Sequence, residues 1–117
     1  MKAAVLIVGA LIFLLPPSSS ARAPRCDASV DKVRAEFEAF IKESRSCRVD
    51  ADCGVAMASC PLPCGTVVAR ASIVKVEKLA ADLVQGLDRS CQCKYKCGPP
   101  RDVACRDHVC VERLASQ

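Results

Sequence analysis

The residues of this chain that could carry chemistry are its cysteines. The stretch SCRVDADCGVAMASCPLPCG, residues 46–65, sets Cys47, Cys53, Cys60 and Cys64 around two aspartates, Asp50 and Asp52. A second group, Cys91, Cys93 and Cys97, brackets Lys94, Tyr95 and Lys96, and Cys26, Cys105 and Cys110 complete the ten. Thiols at this density could bind a soft metal, run thiol–disulfide exchange, or cross-link the fold. Spacing separates these options. Zinc sites and thiol oxidoreductases favour C-x2-C, which occurs nowhere in the chain. Asp50 and Asp52 alternate as calcium ligands do, but no further oxygen ligand follows in step and no Glu closes the loop. The expected role of sulfur is structural, with no metal or other cofactor.

Other sharp chemistry is equally poorly supported. Cys60-Pro-Leu-Pro-Cys64 resembles the C-x3-C copper sites of copper chaperones of the bacterial envelope. Those proteins add a distant His from a thioredoxin-like fold, and this chain is too short for that fold. A metallothionein-like thiolate cluster at Cys91, Cys93 and Cys97 is disfavoured because exported thiols oxidise. His108 is the only histidine, and no G-x-S-x-G, H-E-x-x-H or Gly-rich phosphate loop is present. No catalytic residue is assigned and an enzyme is not expected.

The compartment is read from different residues. Met1-Lys2 is followed by the apolar run Ala3–Leu15, then Pro16-Pro17 and the small-residue segment SSSARA. This is the order of a secretory signal peptide, and the apolar run is shorter than the roughly 20 residues of a membrane-spanning helix. Residues 1–23 are expected to be cleaved after Ala23, with cleavage after Ala21 as the alternative. Ala23-Pro24-Arg25-Cys26 is a poor lipobox, so no lipid anchor is expected. Residues 24–117 then form one domain, secreted or periplasmic, with all ten cysteines inside it. An even count in a short exported chain reads as paired cysteines.

That domain needs cross-links. It has no Trp, and its aromatics are Phe37, Phe40 and Tyr95. Its apolar residues are mostly Ala and Val, which bury little area each. Against a chain-entropy cost of over ~1 kcal/mol per residue, each disulfide, at about 2–5 kcal/mol, is decisive. Fifteen Lys and Arg against thirteen Asp and Glu leave this part at +2, which argues against nucleic-acid or membrane-surface binding. Residues 89–113 are locally +3, six Lys and Arg against Asp102, Asp107 and Glu112. A protein or an anionic ligand is the expected partner class, and a monomer the expected state.

The elements that must position these residues follow from periodicity. Val30, Val33, Phe37, Phe40 and Ile41 share one face of a helix over 27–45. Gly54–Ala58 and Gly65–Ala69 read as short strands that could pair, separated by a segment that Pro61 and Pro63 keep irregular. A second amphipathic helix spans 71–87, with Gly86 near its end. SCQCKYKC, residues 90–97, alternates like a strand. VAC and VCV flank Arg106-Asp107-His108 as a hairpin. The predicted fold is α+β: a small disulfide-rich domain with two helices on a short, mostly antiparallel sheet. Sequence cannot choose among the possible pairings, although Cys105–Cys110 across the hairpin, and Cys60 with Cys64 or a nearby strand cysteine, are the pairs proximity suggests.

C-x2-D-x-D-C (Cys47, Asp50, Asp52, Cys53), the following CPLPCG, and the closing AC-RD-x-VCV of residues 104–111 resemble a group of small exported cysteine-rich bacterial proteins of uncharacterised function. The likeness covers about residues 46–112 and implies no activity. His108 stands where the closing hairpin of that group carries Gly. A weaker resemblance is to the four-disulfide-core protease inhibitors, which share C-x2-D-x-D-C but continue with adjacent cysteines that are missing here. No inhibitory residue is carried over from it. The reading is a non-catalytic protein- or ligand-binding module. Its alternatives are a metal- or redox-handling envelope protein using Cys60/Cys64 or Cys91/Cys93/Cys97, and a secreted protease inhibitor.

Overall fold

The computed structural model describes Gly9 and residues 24–94, 96–98 and 101–113. The expected leader, Gly9 apart, lies outside these residues, as does Tyr95. The α+β class holds. In chain order the elements are α1 (Pro24–Glu43), β1 (Cys53–Met57), β2 (Gly65–Ala69), α2 (Ile73–Gln85), β3 (Val103–Arg106) and β4 (Val109–Glu112). Short 3-10 turns at Asp50–Asp52, Arg70–Ser72 and Arg89–Cys91 join them.

Helix α1 begins at Pro24, before the expected Asp27, because proline is tolerated where a helix has no use for the amide N–H. It ends at Glu43. There the Ser44 hydroxyl donates back to the Phe40 carbonyl at 2.7 Å, and the Ser44 N–H bonds Ile41 O at 2.9 Å. The next residues strap the fold together. Ser44 O accepts Ala69 N–H at 2.7 Å, Arg45 O accepts Cys110 N–H at 2.8 Å, and Cys47 N–H donates to His108 O at 3.1 Å. Ser46 thereby makes an antiparallel bridge to Val109.

The strands form two antiparallel pairs rather than one sheet. β1 pairs β2 in the register Cys53↔Ala69 to Met57↔Gly65, and β3 pairs β4 from Val103↔Glu112 to Arg106↔Val109. The β1–β2 hairpin is the middle layer. Ala56 and Val68 meet the helices in a core of Phe37, Ile41, Leu62, Val76, Ala80 and Val84. On the opposite face, Cys53 and Val67 join Cys47 and Cys110. This alternation is the period of two that a strand imposes. The second core is built largely of sulfur, so cross-links and packing coincide there. Met57 N–H, on the edge of β1 away from β2, donates to the Glu77 carboxylate of α2 at 3.2 Å.

The β3–β4 turn is a tight two-residue one. Asp107 and His108 adopt φ of 50° and 64°, left-handed values that Asp and His accept more readily than most residues. His108 therefore does the work expected of glycine. Its Nδ1 lies 3.3 Å from Cys47 O, within hydrogen-bond reach.

Residues 90–97 do not form the expected strand. Asp88 caps the Arg89–Cys91 turn by accepting from Ser90 N–H and Ser90 Oγ, each at 3.0 Å. From Gln92 the described chain is irregular. Three cysteines in this stretch are anchored to distant partners, which sets its path in place of a strand ladder.

Candidate functional site

All ten cysteines are paired: Cys26–Cys91, Cys47–Cys105, Cys53–Cys110, Cys60–Cys93 and Cys64–Cys97. Both pairs suggested by proximity are corrected. Cys105 and Cys110 do face one another across the hairpin, yet each bonds a cysteine near β1. A Cys105–Cys110 bond would close only the turn between them, whereas the observed bonds attach the hairpin to the rest of the fold. Cys60 joins neither Cys64 nor a strand residue; its partner Cys93 lies in irregular chain.

Among the described residues, Cys47, Cys53 and Cys110 form a buried group whose sulfurs all lie within 4.8 Å of one another. Each of these sulfurs is already in a disulfide, so the group is a packed cystine core. Cys60, Cys64, Cys91, Cys93 and Cys97, the residues of the metal or redox alternative, are likewise bonded.

The D-x-D-C motif is a structural joint. Asp50 Oδ1 accepts the Cys105 N–H at 2.8 Å and its Oδ2 accepts the Arg113 guanidinium at 2.8 Å. Asp52 Oδ2 instead accepts Arg48 N–H at 2.9 Å and Val49 N–H at 3.2 Å, and these bonds hold its carboxyl below the ordinary value. The two carboxylates therefore serve different donors. Arg70 ties the same turn to β2, donating to Ala51 O at 3.0 Å and Cys53 O at 3.2 Å. Arg45 donates to Cys110 O through Nε and Nη2. Neither arginine stands out in sequence, since nothing in its local spacing marks a carbonyl far along the chain as its partner.

The CPLPCG loop turns inward. Leu62 is 0 % exposed, Leu62 N–H donates to Ser59 O at 2.9 Å, and Pro61 O accepts Arg34 Nε and Nη2 at 3.3 Å. This loop is an anchor rather than a displayed surface. The segment riveted to it is the displayed one: Cys93, Lys94, Lys96 and Cys97 are all exposed. The two rivets, Cys60–Cys93 and Cys64–Cys97, both span 33 residues, so segments 60–64 and 93–97 run in the same direction.

The positive charge within residues 89–113 is only partly neutralised. Arg101 pairs with Glu112 at 3.3 Å, and Arg113 with Asp50 at 2.8 Å and Asp102 at 3.6 Å. Among the described residues, Arg89, Lys94, Lys96 and Arg106 have no ion-pair partner. Beside α1, and walled in part by Pro63 of the CPLPCG loop, lies an open apolar cleft of about 490 Å³ lined also by Phe37, Ile41, Lys42, Arg45 and Thr66. The Thr66 hydroxyl is buried without a hydrogen-bond partner.

These features define a small α+β domain whose compactness rests on five disulfides, a construction typical of proteins made for oxidising compartments. No described helix is long and apolar enough to cross a membrane. Compared with known proteins, the chain matches no family model, no curated relative and no solved structure.

Proposed function

We propose that this chain is an exported, non-catalytic binding module, secreted or periplasmic, that presents its Cys93–Cys97 segment to a protein partner. The observation that carries this reading is the double rivet: a segment whose described residues are exposed, with Lys94 and Lys96 free of ion pairs to any described residue, fastened at both ends to a loop whose Leu62 is buried in the core. A segment tethered at both ends before contact loses less conformational entropy on binding, where each immobilised long side chain costs about 0.5–1.5 kcal/mol. The leader-like residues 1–23 and the cystine content support export.

The test is charge reversal at the displayed face. The natively exported protein and its Lys94→Glu/Lys96→Glu variant are immobilised, challenged with the proteins of their own compartment, and checked by intact mass for five disulfides. The expected result is a partner retained by the first and lost by the second. Equal retention by both, or no retained protein at all, overturns this assignment.

A further inference from the structure

The apolar cleft beside α1 is polar at one end, where the helix runs out. Arg45 lines it there, half-buried and held still, because its Nε and Nη2 donate to Cys110 O at 3.2 and 3.0 Å. Those bonds leave Nη1 uncommitted, and the guanidinium has no carboxylate partner among the described residues. Lys42, three residues earlier, also lines the cleft, exposed and without an ion pair to any described residue. Thr66 lies two residues before the core residue Val68, so the alternation of β2 puts it on the same helix-facing side. Its hydroxyl is buried without a hydrogen-bond partner, a donor that an acceptor in the cleft would satisfy once χ1 turns it outward.

The whole set of charges on these walls selects the occupant. Glu38, Lys42 and Arg45 are the ionisable residues lining the cleft. Glu38 stands one helical turn before Lys42, so the two cations gather at one end and the acid lies toward the other. Two cations against one acid favour a singly charged anion, since Glu38 would repel a dianion more strongly. The remaining walls are apolar, Phe37, Ile41 and Pro63 among them, and about 490 Å³ falls within the roughly 300–1,000 Å³ of small-ligand sites. A neighbouring hollow of about 460 Å³ shares Phe37, Glu38 and Pro63 with the cleft, which leaves room for a chain to run on. The cation of that hollow, Arg34, is turned onto Pro61 O at 3.3 Å.

We propose that this cleft binds an apolar carboxylate of the fatty-acid type, its head group on Arg45 and Lys42 and its chain along Phe37, Ile41 and Pro63. The carboxylate accepts from Arg45 Nη1 and from the Lys42 ammonium, and charge-assisted bonds of this kind are stronger than neutral ones. A guanidinium already fixed on Cys110 O loses little further freedom when the ligand arrives. The chain methylenes leave water for apolar walls, which adds affinity with each carbon covered. No residue of the Cys93–Cys97 segment lines this cleft, so the site stands whether or not that segment takes a protein partner.

The experiment titrates the oxidised, natively exported protein with decanoate at neutral pH and follows its backbone amides by NMR. Decan-1-ol and decyltrimethylammonium serve as neutral and cationic head-group controls. Saturable shifts at Ala39, Lys42, Arg45 and Thr66 are expected, half-complete by about 100 μM, with both controls about tenfold weaker or more. Lys42→Gln, on the exposed face of α1, should weaken decanoate by about two- to fivefold, the scale of an exposed charge pair. Arg45→Gln should weaken it by about tenfold or more, the scale of a hydrogen bond to a charged group. Because Arg45 also holds Cys110 O, Lys42→Glu is the second variant, and it should weaken decanoate more than Lys42→Gln does. Lys94→Glu/Lys96→Glu should bind decanoate as the natural chain does. No saturable shift by about 1 mM, equal binding of the three probes, or indifference to both Lys42 variants overturns the proposal. So do shifts confined to Lys94 and Lys96, which would leave the displayed segment as the binding surface and remove the cleft. Co-sedimentation with phosphatidylglycerol vesicles without binding of monomeric decanoate overturns it in favour of a lipid surface. A dimer that covers the cleft, seen by ultracentrifugation, overturns it in favour of a second copy.

Discussion

Asp50 accepts the backbone N–H of Cys105 at 2.8 Å across 55 residues of chain. The same carboxylate holds Arg113 beyond the end of β4, so one side chain fastens both strands of the closing hairpin to the turn before β1. The Asp50 side chain is 57 % exposed, which screens the ion pair. Asp50→Ala is expected to cost about 1 kcal/mol, a fall in Tm of roughly 4–8 °C for a domain of this size. Arg113→Ala, which leaves the Cys105 bond in place, should cost less. Calorimetry on the two variants checks the order, and a larger loss for Arg113→Ala would contradict it.

The disulfides should differ in worth although their rings are of similar size. Cys26–Cys91 spans 65 residues and Cys53–Cys110 spans 57, so ring-closure entropy barely separates them. Burial does. Cys53 and Cys110 are both 0 % exposed and are half of the second core. Removing them as Cys53→Ala/Cys110→Ala combines the usual loss of about 2–5 kcal/mol with a cavity. Urea unfolding should rank this variant well below Cys26→Ala/Cys91→Ala.

Leu62 is the anchor of the riveted frame. Leu62→Ala should destabilise by about 2–5 kcal/mol, as for other fully buried leucines. Hydrogen exchange should quicken in the CPLPCG loop and in the segment bonded to it. A variant with wild-type stability would mean that the loop is held by its disulfides alone.

Asp52 and Asp88 give the fold a specific acid response. Backbone N–H bonds from Arg48 and Val49 lower the Asp52 carboxyl, and bonds from the Ser90 N–H and hydroxyl lower Asp88, each below an ordinary 3.8. The folded values lie under the unfolded ones, so their stabilisation is complete at neutral pH. It is lost as pH falls from the unfolded value through the folded one. Carbon-detected titration should place both midpoints below 3.8, and Asp52→Asn should flatten the stability curve on the acid side. A midpoint above that value at either residue would contradict the hydrogen-bond assignment.

Much of this architecture is legible from periodicity. Phe37 and Ile41 of α1, and Val76, Ala80 and Val84 of α2, lie in the core where helical spacing puts them. Gly65–Ala69 is a strand paired with the first apolar run as expected. The failures share one cause. The alternation of 90–97 reads as a strand only if neighbouring backbone supplies its partners, and here distant sulfurs do. Proximity favours Cys105–Cys110, but nothing local reveals that β1 lies beneath that hairpin. The displayed lysines were visible in sequence as part of a basic stretch. That Arg101 and Arg113 are neutralised while Arg89, Lys94, Lys96 and Arg106 are left without ion pairs among the described residues depends on tertiary contacts, and so on the fold.

The stretch after α1 carries a rule about length. Ser44 and Arg45 turn their carbonyls to different hairpins, where the turn that ends α1 gives way to chain bridged to Val109 at Ser46. Inserting a single residue between them would point one carbonyl away from its hairpin, while inserting two would restore the alternation. Insertions at this joint should therefore be tolerated in even steps and rejected in odd ones.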